Sequence, residues 1–219
     1  MTFSSCLTNH DKALVLDASV IINLLATGSA GAILQALDVR LIVTDNVVRE
    51  IGQGAVNGRQ EPKLLAELIG NQILKVEELA GPSLESFFDM ISGHTSNSLG
   101  DGEAATIAFA HNNGFSAAID EKKAARIVGE RFGMLKLVTT VDILAYEPVR
   151  VSLGHEALSN ATLRALRHAR MQVRDHQVDW IVQLIGVENL VACASLKRHA
   201  RRKVKSLVSA TMACGDTIK

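Results

Sequence analysis

The chain has 219 residues, of which 47% are hydrophobic and 21% charged, a composition typical of a globular protein with one ordinary domain rather than of a disordered chain. Its net charge of zero combines an acidic first part with a basic tail, since residues 188–219 contain seven Lys or Arg against two acids. The sequence has no signal-like start, no apolar stretch near the roughly 20 residues that span a bilayer and only three scattered cysteines, so we expect a cytoplasmic protein without membrane contact.

Strands and helices alternate through the first two thirds of the chain. The run 13–16 (ALVL) is continuously apolar and predicts a buried strand, after which a helix begins near Ser19. The same pattern predicts strands at 39–45, 115–120 and 134–138, a short edge strand in ILKVEEL, and helices between them. This alternation predicts an α/β fold, with three α/β/α layers around a parallel sheet.

The pattern changes to helices alone after Pro148, with helices predicted near 154–174, 175–186 and 188–210. We therefore divide the chain into an α/β domain, residues 12–150, and a helical extension with a basic tail, residues 151–219.

Five acids occupy positions where a site is expected. Asp17 and Asp120 end two strands, and the carboxyl ends of parallel strands are where ligands bind. Glu50 lies in the helix after the second strand, and Asp101 and Glu103 open an Ala-rich helix within LGDGEAATIAFAH. Each acid alone has an ordinary alternative, as a helix cap, a partner of the helix dipole or a solvated surface residue.

Together these acids favour a metal site. Like charges about 4 Å apart repel by roughly 4 kcal/mol at an effective dielectric near 20, so a cluster of carboxylates needs compensation. Mg²⁺ or Mn²⁺, which prefers carboxylate oxygen, would supply it and could activate a water for phosphodiester hydrolysis.

The order of these motifs resembles that of the PIN domains, metal-dependent α/β nucleases that include the VapC-type toxins. The resemblance runs from about Lys12 to Arg150. It rests on VLDASVIINLL with Asp17, VTDNVVREI with Glu50, GDGEAATIAFA with Glu103 and AAIDEKKAARI with Asp120.

The third motif is closest to a PIN-like branch whose helix opens G-x-G-E. Gly100, Gly102 and Glu103 fit that form, whereas Asp101 is an addition. That branch continues acid–acid–x–x–Ala–Arg, which Asp120, Glu121 and Arg126 match with one extra residue. We expect Glu121 to be solvated surface, and the usual Thr-x-Asp of the last motif is absent.

The resemblance implies an endoribonuclease that hydrolyses RNA by in-line attack of a metal-bound water. Asp17, Glu103 and Asp120 would bind Mg²⁺ or Mn²⁺ directly or through water, and Glu50 and Asp101 would complete the cluster. Ser19 would orient Asp17 or the phosphate, and Asn23 would hold a carboxylate. The family also implies a toxin role with a cognate antitoxin protein and a homodimer, although the long extension fits a minimal toxin poorly.

Basic residues outside the acidic motifs offer contacts for RNA. The tail segment KRHARRKVK (197–205) predicts sequence-independent phosphate contacts, with a solvated face or a protein-contacting surface as alternatives. Its basic residues are Lys197, Arg198, Arg201, Arg202, Lys203 and Lys205. A second basic stripe, with the same alternatives, consists of Arg164, Arg167, Arg170 and Arg174 at helical spacing.

Two other classes of function compete with a nuclease. Haloacid-dehalogenase-like phosphatases also begin with a strand ending in Asp, but they need a second Asp where this chain has Ser19. The alternative that stays open is a PIN fold that binds nucleic acid or protein without cleaving it.

Overall fold

The structure is a computed structural model of the full chain, and residues 3–54, 58–92 and 99–196 are described. Within these ranges, no helix is both long enough and apolar enough to cross a membrane.

A five-stranded sheet forms the centre of the fold, and every neighbouring pair of its strands is parallel. The strands are β1 (Ala13–Leu16), β2 (Arg40–Thr44), β3 (Lys75–Glu77), β4 (Ser116–Ala118) and β5 (Leu137–Val138), and their order across the sheet is β3-β2-β1-β4-β5. The central strand β1 pairs Val15 with Ile42 on one side and with Ala117 on the other. The chain therefore builds outward from β1 in both directions.

Side chains of β1 alternate between two hydrophobic cores, one on each face of the sheet. Leu14 and Leu16 belong to the larger core, whereas Ala13 and Val15 belong to the smaller one, and all four are inaccessible to solvent. A strand buried on both faces explains why its sequence is continuously apolar. Helices cover both faces, so the predicted three-layer α/β/α fold is confirmed.

Ten α-helices are present in the described part of the chain. Those of the α/β region are α1 (Ala18–Thr27), α2 (Ala30–Gln35), α3 (Asp45–Gln53), α4 (Glu61–Gly70), α5 (Pro82–Ile91), α6 (Asp101–Asn113), α7 (Lys122–Arg131) and α8 (Thr140–Ala145). Helices α5, α6 and α7 pack on the smaller core, and α1, α2, α4 and α8 pack on the larger one.

The region after Pro148 is less regular than predicted. Helix α9 (Glu147–Arg164) is interrupted at Gly154, whose φ of 72° is non-helical, and it continues as a π-helical turn, Ala165–Ala169. A 3₁₀ turn, Asp175–Gln177, leads into α10 (Val178–Ile185). The prediction of a helix from 188 was wrong for the described residues, which form 3₁₀ turns at Val187–Ala192 and Ala194–Leu196.

This helical region shares the larger core. Leu158 of α9, Leu166 of the π-helical turn and Ile181 of α10 are buried in the same cluster as Leu14 and Leu16 of β1. The predicted boundary near Arg150 falls inside α9, before its interruption at Gly154, and the larger core extends across both predicted parts.

Small side chains bring α6 close to the sheet. Ala104, Ala105 and Ala108 are inaccessible to solvent, and α6 lies across β1, β2 and β4. Alanine has little volume between helix and strand, so the first turn of α6 can lie near the ends of the strands.

We expect Ala108→Leu to destabilise the protein by about 1–3 kcal/mol, because added methyl groups have no space between α6 and the sheet. Urea unfolding measures this change. The matched control is Ala66→Leu, at an exposed position of α4. Equal effects of the two substitutions would show that α6 is not closely packed.

Candidate active site

The carboxyl end of the sheet brings the predicted acids to one region. Asp17 directly follows β1, Asp120 lies two residues after β4, and these strands are neighbours. The backbone N–H of Asp17 extends the ladder by donating to the carbonyl of Ala118 at 3.1 Å. From β1 the chain continues to β2 on one side, whereas β4 and β5 extend the other, so this crevice is a topological switch point, where ligands bind in open α/β sheets.

Asp17 is only 3% exposed and caps α1. Its Oδ2 accepts hydrogen bonds from the backbone N–H of Ser19 at 3.1 Å and from the Ser19 hydroxyl at 2.7 Å. Burial raises the pKa of Asp17, these hydrogen bonds oppose the rise, and the charge of Glu121 adds to it. Ser19 therefore fixes the orientation of the Asp17 carboxylate.

Glu50 reaches the site from α3 because Gly102 has no side chain. The Glu50 carboxylate accepts a hydrogen bond from the backbone N–H of Gly102. A Cβ at position 102 would lie 2.2 Å from Glu50 Oε2 and 3.4 Å from Val47 Cγ2. Partial burial raises the pKa of Glu50, and the charges of Asp17 and Asp101 raise it further.

Glu103 combines a structural contact with a strongly perturbed pKa. Its Oε2 accepts a hydrogen bond from the backbone N–H of Gly100 at 3.2 Å, which closes a capping box at the start of α6. Burial, followed by the charge of Asp17, raises the pKa of Glu103 to about 7. Glu121 and Glu50 also raise it, so three neighbouring carboxylates act on this one.

Asp101 is the first residue of α6 and is exposed. Residues two apart on a helix point about 200° apart, so the side chain of Asp101 diverges from that of Glu103. Its charge acts instead on Glu50, whose pKa it raises.

Asp120 faces inward, toward the start of α8. Its Oδ1 accepts from the backbone N–H of Thr140 at 2.8 Å, and its Oδ2 accepts from the Thr140 hydroxyl at 2.5 Å and from Asn23 Nδ2 at 2.6 Å. Burial raises the pKa of this carboxyl, and the hydrogen bonds oppose the rise. Both oxygens are thus engaged by the protein.

Glu121, the residue after Asp120, lies close enough to other acids for its charge to affect their pKa values. Glu121 caps α7, where its side chain accepts from the backbone N–H of Lys123, and its charge raises the pKa of both Asp17 and Glu103. Glu121 is half-buried, so it lies partly within this region, and its part in a site stays a prediction. The two consecutive acids in AAIDEKK are the sequence signal that could have placed Glu121 near the other acids.

A buried network that sequence reasoning missed supports the Asp120 loop. Thr139 caps α8 in a capping box with Asp142, whose Oδ2 lies 2.5 Å from the Thr139 hydroxyl. Gln177, inaccessible to solvent, donates to Thr139 Oγ1 at 2.8 Å and accepts from the backbone N–H of Arg174 at 3.0 Å. A residue more than 50 positions beyond Asp120 therefore holds the segment next to it, and no local pattern indicates this contact.

The donor set of this region suits a hard divalent cation. Asp17, Glu50, Glu103 and Glu121 offer carboxylate oxygens, which Mg²⁺ and Mn²⁺ prefer, and their repulsion is what such an ion relieves. In the described ranges, however, no three acidic, histidine or cysteine side chains are arranged closely enough to enclose an ion. The charges of some of these acids thus raise the pKa values of others, but their side chains do not surround a point where an ion could bind. The metal ligands stay a prediction.

The predicted basic surfaces have different outcomes. The segment from Lys197 to Lys205 lies outside the described residues. The second stripe is not a single helical row, because Arg170 adopts a left-handed conformation with a φ of 56° and ends the π-helical turn. Arg167 is engaged with Asn189 Oδ1 at 2.7 Å, and Arg174 is half-buried.

Comparison with family models gives a match over residues 13–186 to a family described as a PIN domain, DUF3368. Its fold is the nuclease fold that the motifs resemble. The chain therefore belongs to the PIN-domain family. Searches of curated proteins and of solved structures found no match.

The pKa of Glu103 makes stability depend on pH. Its folded-state value of about 7 exceeds the ordinary 4.5, so between these values the folded protein retains a proton that the unfolded chain releases. Without divalent cations, we expect the wild type to lose stability relative to Glu103→Gln as pH rises from about 4.5 to 7.

Urea unfolding in EDTA at several pH values from about 5 to 8 measures this difference. The matched control, Glu85→Gln on the exposed side of α5, should retain the wild-type pH profile. Parallel profiles for wild type and Glu103→Gln would contradict the raised pKa.

We expect Gln177→Leu to destabilise the protein by about 1–3 kcal/mol, because it removes the partners of buried groups at Thr139 and Arg174 without changing the volume much. Gln183→Leu, at an exposed position of α10, is the matched control. Thermal or urea unfolding compares the two, and similar small losses would rule out a supporting role for Gln177.

Proposed function

We propose that this protein is a metal-dependent endoribonuclease that hydrolyses RNA phosphodiester bonds at the acidic cluster. The observation that carries the proposal is the convergence of acids from four separate elements of a PIN-domain fold, where the charges of Asp17, Glu50 and Glu121 all act on Glu103. Repelling carboxylates at a ligand-binding crevice favour a cation-dependent reaction at an anionic substrate.

Asp17 and Glu103 would hold Mg²⁺ or Mn²⁺, with Glu50 and Glu121 beside them. The bound ion would supply a nucleophilic water and charge stabilisation for a phosphodiester. Direct ligation by Asp120 or Asp101 stays a prediction, because both oxygens of Asp120 already accept hydrogen bonds from the protein and Asp101 is exposed.

The remaining polar residues would position these acids. Ser19 holds the Asp17 carboxylate through two hydrogen bonds to its Oδ2. Asn23 and Thr140 hold Asp120, whose pKa is also raised by the charge of Asp17. A site with fixed carboxylates needs little rearrangement when charge develops on the substrate.

RNA as the substrate and a cytoplasmic location belong to the same proposal. The toxin role, the antitoxin partner and the homodimer rest on the sequence resemblance alone and stay predictions.

We expect purified protein with Mn²⁺ to cleave RNA and Asp17→Asn to lower the cleavage rate on the order of 10²–10³-fold, as when one charge-stabilising group is removed. Gel analysis of a labelled RNA measures the rate, with EDTA as the metal-free condition. Asp89→Asn, an exposed acid on α5, is the matched control and should cleave like the wild type.

The same assay tests the assignment of Glu121. Glu121→Gln should lower the rate, whereas Glu85→Gln should not. If the wild type leaves every tested RNA intact with Mn²⁺ or Mg²⁺, or if Asp17→Asn cleaves at the wild-type rate, the nuclease proposal fails. Binding of RNA without cleavage would then favour the non-cleaving alternative.

A further inference from the structure

A groove of about 660 Å³ lies between α1, the start of α4 and the π-helical turn. Ile22, Ala26 and Leu64 form its apolar part, and Arg59, Arg164 and His168 contribute basic side chains. It contains none of the acids of the candidate active site, so it is a separate surface.

The accessible side of α1 connects this groove to the acidic cluster. Ser19, Ile22 and Ala26 are the residues of α1 that are partly exposed, and every other residue of the helix is buried. Their spacing of three and four puts them on one face. Ser19 contacts Asp17, whereas Ile22 and Ala26 line the groove, so this face runs from the cluster into the groove over about 10 Å.

The basic side chains of the groove are available to an anion. In the described part of the chain, neither Arg59, Arg164 nor His168 makes an ion pair or a side-chain hydrogen bond, and Glu61 is the one acid in the lining. Arg59 and Arg164 keep their charge at all physiological pH values and are suited to phosphate. The charge of the groove is thus opposite to that of the cluster beside it.

Gly28 helps to place one of these cations. A Cβ at position 28 would lie 2.7 Å from Arg164 Cζ, so the missing side chain leaves space for the guanidinium over the C-terminal end of α1. The negative end of the helix dipole favours a cation at this point. Arg164 is therefore held at the end of α1 that is distant from Asp17.

We propose that this groove binds the sugar–phosphate backbone of the RNA strand next to the scissile phosphate. The inference rests on the proposed function and names where its substrate runs. Phosphates would contact Arg59, Arg164 and His168, while Ile22, Ala26 and Leu64 would contact sugars or bases. An RNA strand fits better than an acidic protein segment because the groove continues along α1 to the hydroxyl of Ser19 and the proposed cleavage site.

Binding can be measured without cleavage. Fluorescence anisotropy of a labelled single-stranded RNA in EDTA, at several salt concentrations, compares the wild type with Arg59→Ala and with Arg59→Ala/Arg164→Ala. Arg40→Ala removes a matched charge at the opposite end of the sheet, where β2 begins. Arg59 lies on an exposed loop, so its single variant tests the proposal even if the double variant is unstable.

Each lost contact should weaken binding about fourfold near 0.15 M salt, or about 15-fold for the double variant, and should reduce the slope of log K against log salt by about 0.7. Arg40→Ala should match the wild type. Equal affinities of wild type and both groove variants would overturn the proposal, as would equal losses in Arg40→Ala.

The Mn²⁺-dependent cleavage assay separates this result from the proposed function. Intact cleavage with unaltered binding in the groove variants would reject the groove and retain the nuclease. Weakened binding in the groove variants, with no cleavage by the wild type, would retain the groove as an RNA-binding surface and reject the nuclease.

Discussion

Repulsion between carboxylates at the carboxyl end of the sheet is the constraint that explains most of the local structure. The charges of Asp17, Glu50 and Glu121 raise the pKa of Glu103, Glu121 also raises that of Asp17, and Asp17 raises that of Glu50, while burial adds to each of these shifts. A fold optimised for stability alone would separate these groups. This chain instead gathers them at the crevice between β1 and β4, where hydrogen bonds and helix N-termini hold them in place.

Helix N-termini supply much of that support. Asp17 caps α1, Glu103 closes the capping box of α6, Glu121 caps α7, and Asp120 accepts from the first backbone N–H of α8. Each N-terminus carries partial positive charge, worth typically 0.3–1 kcal/mol to a nearby acid. Capping and site formation are therefore not alternatives in this protein, because the same carboxylates do both. Four helices that begin at one edge of the sheet therefore offset part of the repulsion within the acidic cluster.

Features that depend on a local sequence pattern could be predicted. Side-chain orientations that depend on contacts with residues distant in the chain could not. The strands, the three layers and the positions of Asp17 and Asp120 follow from apolar runs that end in acids, because parallel strands must share one edge. The inward turn of Asp120 could not be predicted, since Asn23 and Thr140, on other elements, determine it. The prediction that Arg164, Arg167, Arg170 and Arg174 form one helical row was wrong because the left-handed backbone of Arg170 ends the helix. Helical spacing alone assumes that the helix continues.

Gly102 determines whether Glu50 can lie beside the other acids. Glu50 lies on a helix of its own, and what admits its carboxylate is the absence of one methyl group on the neighbouring helix. The close approach of α3 to α6 therefore determines whether the Glu50 carboxylate reaches the crevice. A single added carbon at position 102 would occupy the space of the Glu50 carboxylate and displace it from the crevice, with every acidic residue of the sequence unchanged.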